Sequence, residues 1–211
     1  MTVKIEISEE LEAYFSKRDT QVAVDFIVEG ADSNWTELSF NEFETSDISE
    51  YKNYSDAWLY ATKVQKDYFD FMSELWAASW GKMVSENLTQ FLQVTNFENV
   101  ESVWAEKFWH RKYEPKKETI FDSVWLYCKC KETREAYKKI SLLISLGQGD
   151  EYEMDDIAKP SSEWNKITEK GEDYFVRDCL LMISENECEV SDIKTAMQEA
   201  KSFFLKEVFK S

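Results

Sequence analysis

The chain switches between an alternating and a helical pattern of apolar residues several times, and each switch marks a predicted element. Val3, Ile5 and Ile7 alternate with Lys4 and Glu6, which predicts a strand. Ser8 then stands where a helix cap belongs, ahead of EELEAYF, whose Leu11, Tyr14 and Phe15 share one helical face. In QVAVDFIVEG the residues Val22, Val24, Phe26 and Val28 fall at period two. The turn residues ADSN and the segment Trp35–Phe40 follow, and together they predict a hairpin.

Residues 56–80 carry the strongest helical signal. Ala57, Ala61, Val64, Tyr68, Phe71, Leu75 and Ala78 follow spacings of four and three. Trp58, Phe69, Met72, Trp76 and Trp80 widen the stripe, so the helix is expected to be buried on more than one side. Gly81 is placed to end or bend it. Met83, Leu88, Phe91 and Leu92 continue a helical pattern, and Val100, Val103, Trp104 and Phe108 form a further one. After Pro115 the period returns to two. Val124, Leu126, Cys128 and Cys130 point one way, and Ile140, Leu142, Ile144 and Leu146 form a second alternating run beyond the charged KETREAYK. DYFVRDCLLMI at 173–183 fits strand slightly better than helix. Ser191 is read as the cap of a last helix with Ile193, Ala196, Met197, Ala200, Phe203 and Phe204 on one face.

This order predicts an α+β fold, with antiparallel strands in the N-terminal and C-terminal parts and a central run of amphipathic helices. Its 211 residues suit a single domain, with 41–56 as the place for any subdivision. A chain of this length buries about 70% of the surface it exposes when unfolded, so neither a metal nor a disulfide is needed to hold it. At 43% hydrophobic residues it is too apolar to remain disordered despite its charge.

That charge is −17, from 42 acidic and 25 basic residues. It is uneven, with −10 over residues 1–60 and −7 over 151–211 against +3 over 111–150. A field of this sign repels phosphates and anionic membrane and attracts basic surfaces. MTVKIEISEELE shows neither the basic nor the apolar stretch of a signal peptide, and no apolar run approaches the ~20 residues of a membrane span. Cytoplasmic location is expected, with Cys128, Cys130, Cys179 and Cys188 as reduced, buried thiols.

The motif search excludes several chemistries. Five glycines, scattered at 30, 81, 147, 149 and 171, form no phosphate-cradling loop. A single histidine rules out a two-histidine zinc site, and His110 in WHRKY reads as a cation at the end of a helix. Cys128-Lys-Cys130 lacks the spacing of zinc knuckles. Asp122 with Lys129 and Lys131 echoes a metal-dependent nuclease only faintly, because no acid stands two residues before either lysine. GDEYEMDD holds Asp150, Glu151, Glu153, Asp155 and Asp156 without the alternation and central glycine of a calcium loop.

These acids, with Glu42, Glu44, Asp47 and Glu50, read either as solvated loops that keep the chain soluble or as a surface that faces a basic protein partner, and the second reading is taken forward. No cofactor, bound metal or direct nucleic-acid binding is expected. The predicted function is a non-enzymatic acidic binding protein, an inhibitor or immunity protein acting on a nuclease, toxin or nucleic-acid-handling complex. In size and charge the chain resembles certain bacterial immunity proteins and phage inhibitors, some of which mimic nucleic acid; no motif carries that likeness. The alternatives are a metal-dependent phosphoester hydrolase and a structural subunit of a larger assembly.

Overall fold

The computed structural model describes residues 2–16, 59, 63–64, 66–95, 108–132, 137–148, 157–169 and 171–209. The predicted hairpin at 21–40 and the acidic segments 41–56 and 149–156 lie outside them. The described residues form an α+β structure dominated by an antiparallel sheet.

Eight strands build the sheet. They are β1 (Val3–Glu6), β2 (Leu92–Val94), β3 (Phe108–Pro115), β4 (Phe121–Glu132), β5 (Tyr137–Gln148), β6 (Asn165–Glu169), β7 (Glu172–Ser184) and β8 (Glu187–Val190). Their spatial order is β1-β8-β7-β5-β4-β3-β2, and β6 pairs with the first part of β7. The long β4 and β5 sit at the middle, in a register that opposes Val124 to Leu146, Leu126 to Ile144 and Cys128 to Leu142. This register places the predicted apolar runs on one inner face. Val124, Leu126, Cys128, Ile140, Leu142 and Ile144 are all fully buried there. β7 continues that face with Phe175, Cys179 and Leu181, and β8 with Cys188 and Val190.

Helices cover the inner face. α1 (Glu9–Phe15) begins as its sequence predicts: the Ser8 Oγ accepts from the Leu11 N–H, and three acids lie in the first turn, where the helix dipole favours them. Its buried Tyr14 and Phe15 pack edge-on against Tyr68 and Phe71 of the next described helix. α2 is helical through 66–76, loosens into a π-turn at Ala77–Gly81, and resumes as Lys82–Asn87. Val64, Tyr68, Phe71, Met72, Leu75, Trp76 and Trp80 are buried, as the broad stripe requires, whereas Phe69 is 39% exposed. α3 (Ile193–Phe203) runs into a second π-turn, Phe204–Val208, and buries every residue of its predicted face. Past that turn, Phe209 stacks on Phe91, the residue before β2, at 4.9 Å.

Three expectations are corrected. Among the described residues the central run of helices is not matched, because sheet resumes soon after Asn87. Leu92 opens β2 and Phe108 opens β3, while Val100, Val103 and Trp104 lie outside the described residues. FWHRKYEP does alternate, but its inward set is Trp109, Arg111 and Tyr113. An arginine at an inward position hid the period. Consequently His110 is not at a helix terminus; it stands in β3 opposite Tyr127. Finally, Ser191 does not cap α3. Its N–H donates back to the Leu180 carbonyl at 3.0 Å, and Asp192, at φ 61°, starts the helix without a side-chain cap.

Candidate functional site

All nine acids expected to face a partner, Glu42, Glu44, Asp47, Glu50, Asp150, Glu151, Glu153, Asp155 and Asp156, lie outside the described residues. The described residues assemble a different acidic surface, along the edge where β1 pairs with β8. Glu6 is the cross-strand partner of Glu187, and Lys4 that of Glu189. Like charges directly opposite one another on a sheet repel. Lys4 offsets this in part, its Nζ lying 2.7 Å from Glu187 and 3.9 Å from Glu189; the bond to Glu187 raises the lysine's pKa. The β7–β8 turn adds exposed Glu185 beside Asn186, whose N–H donates to the Glu12 carboxylate. Glu9 and Glu10 follow at the start of α1, with Lys63 paired to Glu10 at 2.5 Å. Hydrogen bonding from Lys63 holds the Glu10 carboxyl below its usual range. β1, β8 and the turn before β8 thus bring Glu6, Glu185, Glu187 and Glu189 together, and Glu12 of α1 reaches the same turn through Asn186. Sequence reasoning passed over this group because its acids come from two ends of the chain, and only the β1–β8 pairing joins them.

The outer face of the sheet carries a different set. The His110 ring stands edge-on to Trp125 at 5.5 Å and to Tyr127 at 5.4 Å, and Tyr127 meets Tyr174 at 5.5 Å. The Lys112 ammonium lies over the Trp125 ring at 5.5 Å. Burial pushes the Tyr127 phenol up to about 12, and burial together with the bond to Glu172 raises that of Tyr174, so both stay protonated at neutral pH. Farther along, Asp178 accepts from the Ser141 hydroxyl at 2.6 Å and pairs with Lys131 and Lys139. Burial alone would raise the Asp178 pKa; Ser141 and the two lysines outweigh it and hold the carboxyl below its usual value.

The structure pairs the lysines of the nuclease-like echo with acids from other strands. Lys129 lies 3.8 Å from Glu169 and Lys131 3.5 Å from Asp178, while Asp122 is an exposed residue of β4. Among the described residues no three His, Cys, Asp or Glu side chains are grouped to hold a metal. The four cysteines are free and buried, as expected. The Cys128 Sγ lies 3.8 Å from the Ser79 hydroxyl, and the Cys130 Sγ lies 3.7 Å from the Met72 sulfur. Burial raises the Cys128 pKa and pushes Cys179 and Cys188 up to about 12, so all three remain thiols rather than nucleophilic thiolates.

A separate ion group sits where the segment before β6 meets α3. Arg177 reaches inward from β7 and binds Glu163 at 2.8 Å, with Glu199 at 4.0 Å; Glu199 also accepts from the indole N–H of the fully buried Trp164. These partners neutralise a mostly enclosed guanidinium, a structural role. Among the described residues no helix is long and apolar enough to cross a membrane. Comparison with protein-family models, with curated proteins and with solved structures finds no match for this chain.

Proposed function

We propose that this chain is an acidic binding protein that engages a basic protein surface and performs no chemistry of its own, with inhibition of a nuclease, toxin or nucleic-acid-handling complex as its effect. The observation that carries the reading is the charge of −17 on a chain without a recognisable catalytic motif. The behaviour of the described carboxylates supports it. Where a carboxyl pKa is displaced, at Glu10, Asp173 and Asp178, it is lowered. Each is held charged by lysines or hydroxyls of the chain itself, whereas a general acid working near neutrality needs its pKa raised.

The β1–β8 edge is the described surface that suits such a partner. Glu6 and Glu187 repel each other in the free protein, and a lysine or arginine set between them relieves that repulsion. The two acidic segments, with Glu42, Glu44, Asp47 and Glu50 in one and Asp150, Glu151, Glu153, Asp155 and Asp156 in the other, extend the attraction at longer range. Charges at the rim of an interface act mainly on the encounter rate.

The test is capture of partners from the native host on the immobilised full chain, followed by association kinetics at several salt concentrations. The expected result is a basic protein that is released by salt. Its association slows when Glu6, Glu187 and Glu189 are changed to Gln, and slows separately when either acidic segment is neutralised. Recovery of an acidic partner, or association rates indifferent to both salt and these changes, would overturn the proposal. Magnesium- or manganese-dependent cleavage of a phosphoester by the purified chain would favour the hydrolase alternative instead.

A further inference from the structure

We draw no further inference here: the strongest candidate, the aromatic cluster of His110, Trp125, Tyr127 and Tyr174 on the outer face of β3, β4 and β7, carries nothing because nothing in the structure shows what covers it.

Discussion

Gly147 shows how closely the two central strands approach. A Cβ built on it would lie 2.1 Å from the Ser123 Oγ, an impossible contact, at the point where the β4–β5 register shifts. Gly147→Ala is expected to destabilise by about 1–3 kcal/mol, the usual cost of overpacking. Ser123→Ala in the same chain removes the obstructing oxygen and should recover much of that loss, because the Ser123 Cβ would still stand at 3.4 Å. Denaturant melts of the two single variants and the double variant measure this, and strictly additive costs would refute the contact. The thiols supply a second case. Since all four are buried, a disulfide-exchange reagent at pH 8 should label none of them on the native protein within minutes and all four after unfolding. Rapid labelling of the folded chain would mean that the sheet opens locally around β4, β7 or β8.

For the elements, packing and pairing make opposite contributions. Leu75 is fully buried in α2 beneath the sheet, and Leu75→Ala should cost about 2–5 kcal/mol by denaturant titration. A change near zero would mean that α2 adds little to the core. β1 and β8 behave differently, because they are short and carry facing glutamates. Glu6→Gln is expected to stabilise the protein by a few tenths of a kcal/mol, through loss of a like-charge pair. If the edge serves a basic partner, the same change slows association with it. Stability gained where binding is lost is the signature of an edge whose repulsion serves recognition; loss of stability on Glu6→Gln would show that Glu6 has a compensating partner and remove the edge from the proposal.

Across the whole molecule, pH sets two effects against each other. Asp178, Asp173 and Glu10 each have a folded-state pKa below the ordinary value, 3.8 for the aspartates and 4.5 for the glutamate. Their contributions are therefore complete above those ordinary values and disappear as pH falls through the lower, folded values. The mutual repulsion of a chain at −17 lessens as its net negative charge falls in acid, which works in the opposite direction. Stability is thus expected to change little between pH 7 and 5 and to fall below about 4. Asp178→Asn should flatten part of the fall on the acid side, since its contribution is already absent. Thermal melts between pH 3 and 7 check this; an unchanged acid limb in Asp178→Asn would show that the Ser141 and lysine contacts to Asp178 do not stabilise the fold.

Elements that bury one regular face could be read from their own residues. The alternation in β1, β4 and β5 and the stripes of α1, α2 and α3 are local consequences of amphipathicity, and each survives in the structure, whereas the segment of β7 only leaned towards strand. Ser8 likewise announces α1, because a cap acts within a single turn. The reading failed where a residue's role depends on something distant. Arg111 faces inward in β3 because the Trp76 ring of α2 receives its charge at 5.8 Å, and no window around Arg111 contains that information. Asp192 rather than Ser191 begins α3 because the Ser191 hydroxyl, like its N–H, turns back to the Leu180 carbonyl, while the Asp192 carbonyl accepts the first helical bond from Ala196. β6 and β8 went unread and stand as strands through pairing with β7, β8 also with β1. The net acidity was fully legible in composition. Which acids stand together was not, because charge adds along the chain without regard to position, whereas the opposition of Glu6 to Glu187 is created only when the first strand of the chain closes onto the last.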